Sequence, residues 1–391
     1  MKLIFEKINL RLCALLLFTT VVFGCSNEPE VSTNQNQVDA SSATVEEPVV
    51  SKEEMADAPI PVKMVIVTMF ELGEDEGDTA GEFQLWKERM DLDTRFPFPN
   101  SHHDIFMNEE KGVLGIVTGI GTAKSTAATM ALGMDPRFDL SEAYWLIVGI
   151  AGVDPEDASV GSAAWAEYLV DADLAHEIDP REMPEDWKTG YFARGSDGPN
   201  DTFVPEPAGE IWHLNADLME WAFQLTKDLE LPDYPSIVEA RSKYVNYPNA
   251  QKKPFVLKGD QLAGQTFWHG KYLNDWANDW VDYWSKGKGE FVTSAMEDTG
   301  SYQSLIYLDA IDKVDIDRLM VLRTASNYTL QSEGVTAAES LLSEKSEGYA
   351  GLEAALESGY LVGSKVVNEI LTNWDIYKDT VPTINKEPTE N

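Results

Sequence analysis

The sequence predicts an α/β fold with a central mixed, twisted sheet and helices on both faces. From residue 62 onward, short apolar runs rich in Val and Ile alternate with helix-forming stretches. Such runs are typical of strands that helices bury on both faces. The composition, 43% hydrophobic and 10% aromatic, is that of a globular protein with a sizeable core. A length of 391 residues allows two or three domains, and the alternation favours one large domain over 62–378.

Each element of this domain has its own local pattern. Apolar, β-branched runs predict strands at 63–70, 113–118, 145–150, 163–170 and 318–324. Alanine-rich or amphipathic stretches predict helices at 80–90, 122–132, 211–229, 266–284, 297–308, 336–345 and 360–374. Clusters of Pro, Asp, Gly and Asn interrupt the alternation between about 180 and 260, and they predict an inserted, loop-rich segment. Residues 379–391 are predicted to form a polar tail.

The first 24 residues are predicted to be a secretory signal peptide. Basic residues precede an apolar run over 12–23, which is too short to span a bilayer. The run Val22-Phe23-Gly24-Cys25 resembles a lipobox, in which Cys25 carries the lipid; a plain cleaved signal is the alternative. Residues 26–61 have no aromatics and are typical of a flexible tether. We therefore expect an exported lipoprotein that faces the periplasm or the cell surface and contacts the membrane through its lipid anchor only.

Charge and cysteine content exclude several classes of function. With 67 acidic against 30 basic residues, the formal net charge is −37, which would repel nucleic acids and anionic lipid headgroups. Cys13 leaves with the signal peptide and Cys25 carries the lipid, so no thiol is left for a disulfide, a nucleophile or a metal. The histidines have no metal-ligand spacing on one element. We expect no nucleic-acid partner, no metal and no other cofactor.

Four polar or glycine-rich segments follow predicted strands or open a predicted helix. They are Thr118-Gly119-Ile120-Gly121-Thr122-Ala123-Lys124, Gly149-Ile150-Ala151-Gly152-Val153-Asp154-Pro155, Met296-Glu297-Asp298 and Arg323-Thr324-Ala325-Ser326-Asn327. Backbone amides at a glycine turn before a helix can donate to a ligand, although a simple turn is the alternative for the first segment. Because two such turns leave neighbouring strands, a pocket is predicted at the carboxyl edge of the sheet.

These four segments, in this order, resemble those of the purine nucleoside phosphorylase and nucleosidase superfamily. A second set of segments resembles the purine nucleoside permease family over about 62–375. This set consists of Met69-Phe70-Glu71-Leu72-Gly73-Glu74-Asp75, Gly149-Ile150-Ala151-Gly152, Asp171-Ala172-Asp173 with Glu177-Ile178-Asp179, and Phe267-Trp268-His269-Gly270. The family name implies nucleoside transport, and the fold implies chemistry at an N-glycosidic bond.

The resemblance implies roles for particular residues. Glu71 matches the acid/base glutamate that acts on the attacking water, and Glu297 matches the carboxylate that accepts both ribose hydroxyls, with Met296 under the sugar. The alternatives are an acidic surface loop for Glu71 and a solvated first-turn carboxylate for Glu297. Phe267 and Trp268 could stack on the purine. Gly119, Gly121, Ala151, Gly152, Arg323 and Ser326 complete the predicted binding set.

Asn327 departs from the nucleosidase pattern, which has an aspartate that protonates the base at this position. An amide donates a hydrogen bond but cannot deliver a proton. Some purine phosphorylases use an asparagine there to hold 6-oxopurines. The departure therefore predicts a preference for inosine or guanosine over adenosine.

Three functions remain open at this point. The loop 71–78 carries five carboxylates and no arginine, so water is favoured over phosphate as the nucleophile. A purine nucleosidase is therefore the leading interpretation; the others are a nucleoside-binding component of transport without catalysis and a purine nucleoside phosphorylase. Superfamily members commonly pair so that a neighbour closes the pocket, which implies a homodimer. Trp276, Trp280 and Trp284 stand four apart, a spacing that favours packing against the sheet or a partner subunit over base stacking.

Overall fold

A computed structural model describes residues 58–199 and 201–384 of the chain. The predicted signal peptide, Cys25 and nearly all of the tether lie outside the described residues, as do residues 385–391 of the predicted tail. Sixteen strands and nine helices are found within the described ranges.

Twelve of these strands form one sheet, and four short strands form two separate pairs, β1 with β6 and β10 with β11. In chain order the strands are β1 Ile60–Pro61, β2 Met64–Thr68, β3 Thr94–Phe96, β4 Ile105–Asn108, β5 Val113–Val117, β6 Phe138–Asp139, β7 Tyr144–Val153, β8 Ala163–Trp165, β9 Tyr168–Asp171, β10 Ala175–Glu177, β11 Tyr191–Ala193, β12 Ile211–His213, β13 Val256–Lys258, β14 Asp260–Ala263, β15 Phe291–Ala295 and β16 Leu319–Tyr328.

Six of the described helices lie between strands in sequence, and three follow the last strand, β16. They are α1 Gln84–Arg89, α2 Thr122–Gly133, α3 Ala216–Thr226, α4 Pro235–Ser242, α5 Lys271–Ser285, α6 Asp298–Asp309, α7 Ala337–Glu347, α8 Leu352–Thr372 and α9 Trp374–Tyr377, with a 3₁₀ turn at Ile316–Arg318. Among the described residues, no helix combines the length and the apolar character that crossing a bilayer requires.

The long strand β7 is the centre of the sheet. It pairs in parallel with β2 near its start and in parallel with β16 along most of its length. β2 in turn pairs in parallel with β5, and β5 pairs antiparallel with β4. Near its end β7 also pairs antiparallel with β15, which leads through β14 and β9 to the edge strand β12. The sheet is therefore mixed, as predicted.

Helices cover both faces of this sheet. Alternate residues of a strand point to opposite faces, and in β2 Val65 and Val67 enter one buried cluster while Met64 and Ile66 enter another. The first cluster includes residues of α2 and α6, and the second includes residues of α1, α3 and α8. The predicted fold class is thus confirmed.

Several predicted boundaries are wrong, each for a local reason. The run 163–170 divides into β8 and β9 because the Asp260 side chain binds the backbone N–H groups of Glu167 and Tyr168, and the strand changes partners there. The predicted helix 211–229 begins as strand β12, and α3 starts only after Asn215 caps it. The predicted helix 266–284 starts at Lys271, because Gly270 has a φ of 121°, outside the helical region.

The segment 180–260, predicted to be a loop-rich insertion, contains three short strands and two helices. Its strand β12 adds to the edge of the main sheet next to β9, and α3 packs against the second cluster. The tryptophans at 276, 280 and 284 are buried in a further core cluster together with Phe291. The tryptophan stripe therefore packs in the core, which is one of its two predicted uses.

Candidate active site

A cavity of about 310 Å³ lies where four parallel strands end. Residues that follow β2 and β5 contribute to its wall, as do the last residues of β7 and β16 and the segment after β15. Carboxyl ends of parallel strands meet at one edge of a sheet, so the predicted location of the pocket is the observed one. The lining is mostly apolar, and its polar members are Glu82, Ser294, Glu297, Ser326 and Asn327.

Arg323 lies buried behind the cavity wall and binds two adjacent carboxylates. Its guanidinium donates to both carboxylate oxygens of Asp298, with N···O distances of 3.0 and 2.9 Å, and to Oε2 of Glu297 at 3.2 Å. It also donates to the backbone oxygen of Ile150 at 3.1 Å. Burial alone would lower the pKa of Arg323, but the nearby carboxylates outweigh it and the pKa is raised. Arg323 is therefore a fixed cation in the interior.

Glu82 is a buried carboxyl group in the wall of the cavity. Its Oε2 accepts the N–H of Met69 and its Oε1 accepts the N–H of Ile150, both at 2.8 Å. Burial raises the pKa of Glu82 to about 8, against the opposing charge of Arg323. Gly149 makes room for this arrangement, because a methyl group there would lie 2.6 Å from Nη1 of Arg323. The cavity thus holds a carboxyl group that titrates near neutral pH.

Glu297 joins the starts of two helices at the cavity. It directly precedes α6, and its Oε1 accepts the N–H of Gly121 at 3.0 Å, just before α2 begins. Burial raises the pKa of Glu297, while Arg323 and the amide of Gly121 favour the ionised form. The partial positive charge of the α2 N-terminus also favours an anion here.

The pair of helices is held closely by small and hydroxyl side chains. Oγ1 of Thr122 donates to the backbone oxygen of Met296 at 3.0 Å, and Oγ of Ser125 donates to that of Glu297 at 2.8 Å. Gly300 lies in the contact, where a methyl group would be 2.6 Å from Oγ of Ser125. This close approach brings Gly121 and Glu297 within hydrogen-bonding distance.

A β-bulge aims two consecutive side chains at the cavity. In the pairing of β16 with β7, Ala325 lies opposite Ala151 and Asn327 lies opposite Gly152, so Ser326 is an extra residue. Consecutive side chains of a regular strand would point to opposite faces, whereas Ser326 and Asn327 both line the cavity.

Hydrogen bonds on two sides hold the Asn327 amide. Oγ of Ser326 donates to its Oδ1 at 2.9 Å. Its Nδ2 lies 3.5 Å from Oε1 of Glu344 in α7. Burial raises the pKa of Glu344 to about 7, although the contact with Asn327 favours the ionised form.

Aromatic rings cover another part of the cavity. Phe267 and Tyr349 both line it, and their rings are nearly parallel with centroids 6.4 Å apart. Trp268, which was predicted to stack with Phe267 on a purine, instead packs against Trp276 and Phe291 in the core. The structure therefore brings Phe267 to the cavity and leaves Trp268 outside it.

Glu71, the predicted acid/base residue, lies outside the cavity lining. Its carboxylate accepts backbone N–H groups of Leu72, Gly81, Phe83 and Gln84, of which the last is at 2.6 Å. It thereby ties the acidic loop to the start of α1. Both Glu71 and Glu82 accept backbone N–H groups, but Glu82 is the glutamate that lines the cavity.

The remaining predicted residues divide into two groups. Ala151, Gly152, Phe267, Met296, Glu297, Ser326 and Asn327 line the cavity. Gly121 binds Glu297 from the adjacent turn, and Arg323 binds it from behind the wall. Gly119 lies in the same turn with a φ of 87°, outside the lining.

Sequence reasoning missed Glu82, Glu344 and Tyr349, and it quoted Asp298 within a predicted segment without giving it a role. A signal for Glu82 exists, because it stands four and eight residues before the buried Trp86 and Met90 and so shares their face of the predicted helix. A carboxylate on an apolar helix face indicates a functional or paired charge. No comparable pattern marks Glu344, whose position depends on how α7 folds over the end of β16. In residues 58–199 and 201–384, no group of three or more His, Cys, Asp or Glu side chains is arranged to hold a metal ion.

Comparisons with known proteins give the family. A family model described as purine nucleoside permease (NUP) matches residues 61–382. A probable purine nucleoside permease of Schizosaccharomyces pombe is 27% identical over 336 residues, covering 81% of this chain and 90% of its own. A purine nucleoside permease of Candida albicans is 28% identical over 324 residues, covering 81% of this chain and 77% of its own.

Two of the solved structures to which the chain is similar are those of bacterial enzymes. A 5′-methylthioadenosine/S-adenosylhomocysteine nucleosidase from Neisseria meningitidis is 16% identical, with a TM-score of 0.47 over 79% of this chain and 99% of the other. Futalosine hydrolase of Helicobacter pylori is 16% identical, with a TM-score of 0.48 over 79% of this chain and 98% of the other. The family match includes all of the segments from which the resemblance was inferred, and the chain belongs to the purine nucleoside permease family.

Proposed function

We propose that this protein binds purine nucleosides in the cavity and hydrolyses their N-ribosidic bond. The observation that carries the proposal is a pair of buried carboxyl groups, Glu82 and Glu297, that face one mostly apolar cavity and lie near one guanidinium, Arg323. Buried carboxyl groups with perturbed pKa values in a cavity are characteristic of functional sites.

Glu297 suits the ribose. A carboxylate accepts hydrogen bonds only, so it matches a neighbouring pair of hydroxyl groups. With Asp298 and Glu82, it surrounds Arg323 with three acidic groups for one cation. This local excess of acidic groups favours the positive charge that develops on the sugar as the bond to the base breaks.

Glu82 suits the attacking water. The oxygen of the water forms a bond to C1′, and its proton passes to the Glu82 carboxylate. The C1′–N9 bond breaks, its electron pair stays on the purine, and the purine takes up a proton from the site or the solvent. A base works best with a pKa near the working pH, and that of Glu82 is about 8. Only its ionised form accepts a proton, so turnover is expected to fall as the pH drops below 8.

The other wall suits the base. Phe267 and Tyr349 offer aromatic faces for stacking, and Asn327 offers an amide. An amide can both donate to and accept from a 6-oxopurine, which supports the proposed preference for inosine or guanosine.

A second candidate is nucleoside binding as part of transport, without turnover. It is supported by the names of the relatives, which are permeases. The two candidates share the cavity and its ligand, and they differ in whether the bound nucleoside is cleaved.

The deciding experiment is to incubate the purified protein with inosine in phosphate-free buffer and follow hypoxanthine release by ultraviolet absorbance. Glu82→Gln should lower kcat at least ~100-fold, because the variant loses the base. Its amide oxygen keeps one of the two backbone hydrogen bonds of Glu82, so inosine binding should change much less than kcat. Glu142→Gln is the matched control, since Glu142 is exposed and precedes β7 at its opposite end. Binding without release would favour the transport candidate, and release only with added phosphate would indicate phosphorolysis.

A further inference from the structure

Glu344 lies directly behind the part of the cavity wall assigned to the purine. Its Oε1 is 3.5 Å from Nδ2 of Asn327, and its Oε2 is buried with no hydrogen-bond partner among the described residues. Oγ of Ser326 holds the other side of the same amide. A buried carboxyl oxygen without a donor is costly when it is ionised, and much less so when it carries a proton.

Two tyrosines and one asparagine are the described groups that interact with this carboxyl. Tyr349 lines the cavity, and Tyr244 approaches from the segment after α4. Burial raises the pKa of both tyrosines, and the charge of Glu344 raises it further. Neither tyrosine titrates near neutral pH. The group in this part of the wall that does so is Glu344, with a pKa of about 7.

We propose that Glu344 is a positioning residue for the purine, which in its protonated form holds the Asn327 amide and keeps the wall behind the base free of negative charge. This inference rests on the proposed function. The departing purine gains electron density as the C1′–N9 bond breaks, and Asn327 cannot neutralise it because an amide delivers no proton. An ionised Oε2 beside the base would oppose that gain, and a protonated one does not.

Nucleoside binding should then depend on the protonation of Glu344. A purine that fills the cavity excludes water from this wall, so the ionised carboxyl becomes still less favourable and binding is linked to the proton. If only the protonated form binds, a pKa of about 7 implies that the Kd for inosine rises about fivefold between pH 7 and pH 8. Glu82 also titrates in this range, so the effect must be assigned with a variant.

Glu344→Gln separates the two groups. Glutamine keeps an oxygen that accepts from Nδ2 of Asn327 but cannot ionise. We expect it to bind inosine at pH 7 within about threefold of wild type, and its Kd to stay constant from pH 7 to pH 8. Glu344→Ala removes the acceptor, so its Kd for inosine should rise about three- to tenfold and its discrimination against adenosine should fall.

Glu333→Gln is the matched control. Glu333 also accepts from an asparagine amide, Nδ2 of Asn246 at 2.8 Å, but it is exposed. This variant should keep the wild-type dependence of Kd on pH. All Kd values are measured by equilibrium titration with inosine, at times short enough that turnover is negligible.

The outcomes distinguish this inference from the proposed function. If the wild type binds inosine but releases no hypoxanthine, hydrolysis is overturned, and the titrations still test Glu344. If Glu344→Gln keeps the pH dependence of the wild type, or Glu344→Ala binds inosine as tightly as the wild type, the positioning role is overturned whether or not hydrolysis occurs.

Discussion

Arg323 carries the positive charge around which the acidic groups of the cavity are arranged. It is 1% exposed and donates to both Asp298 and Glu297. Taking a guanidinium and two carboxylates out of water is costly, and their mutual hydrogen bonds offset a large part of the cost. Removing the cation would leave both carboxylates buried without an opposite charge, and only uncharged donors such as the Gly121 N–H and the Gln261 amide would remain.

We therefore expect Arg323→Met to lower the free energy of unfolding by about 3–5 kcal/mol and to weaken inosine binding, because Glu297 loses its partner. Denaturant unfolding measures the first effect. Arg181→Met is the control, since Arg181 forms a comparable two-pronged pair with Asp179 but is 88% exposed. The control should unfold like the wild type. Equal stability losses in both variants would contradict the role given to Arg323.

The sequence predicts residues of the site well where a motif includes the neighbouring backbone. Glu297, Asn327 and the Gly152 region were predicted and line the cavity. The motif led to Glu71 instead of Glu82, because the motif segment ends at Asp75 and does not include residue 82. The choice depends on which of the two carboxyl groups the folded loop places in the cavity wall, and that group is Glu82.

At the scale of elements, the contact between α2 and α6 sets the position of the carboxylate at the cavity. Both helices begin at the cavity, and their first turns are joined by hydroxyl side chains and by Gly300. Any side chain at position 300 would push the two starts apart. The distance between Gly121 and Glu297 would then increase.

Gly300→Ala should therefore destabilise the protein by about 1–3 kcal/mol and weaken inosine binding in parallel. Gly359→Ala in α8 is the control, because a methyl group there meets its nearest atoms at 3.5–3.7 Å, an ordinary contact distance. Alanine also favours the helix, so this control should be as stable as the wild type or up to about 1 kcal/mol more stable. Thermal unfolding and inosine titration measure both effects. Equal thermal stability and equal inosine binding of Gly300→Ala and Gly359→Ala would contradict the close contact of α2 with α6 at residue 300.

Element types were predictable where periodicity is strong, and boundaries were not. β2, β5, β7 and α2 follow from apolar runs and an alanine-rich stretch, and they lie close to their predicted ranges. β14 and β15 were missed, because a strand that begins Asp260-Gln261 or contains Thr293-Ser294 has no clear apolar pattern. Polar side chains of these two strands pair across them, as Oγ1 of Thr293 donates to Oε1 of Gln261 at 2.5 Å.

At the scale of the whole molecule, acidic side chains lie both on the surface and in a smaller group in the interior. Most acidic side chains in the described part of the chain belong to the polar surface or to ion pairs such as Arg89 with Glu357. A smaller group lies inside, around Arg323. The fold class was predictable because composition and alternation average over the whole chain, whereas the interior charges depend on single contacts.

The predicted lipid anchor at Cys25 would determine where the whole molecule is found in the cell. We expect Cys25→Ser to move the protein from the membrane to the aqueous fraction, because a lipid on Cys25 is the proposed attachment. Cys13→Ser is the matched control, since Cys13 lies within the proposed signal and should leave the distribution unchanged. Detergent phase partitioning of cell extracts measures both. Membrane retention of Cys25→Ser would contradict attachment through Cys25, and a wild type in the aqueous fraction would favour the plain cleaved signal.

The bulge at Ser326 has a consequence for how such a protein can diverge. Before the bulge, β16 residues are fixed by packing on both faces of the sheet, so a change at one of them disturbs the core. After it, Ser326 and Asn327 belong to the cavity rather than to either hydrophobic cluster. The part of β16 before the bulge is therefore constrained by core packing, whereas Ser326 and Asn327 at its end are constrained mainly by the ligand. Substitution of Ser326 and Asn327 can change ligand preference while the rest of the sheet keeps its sequence and its stability.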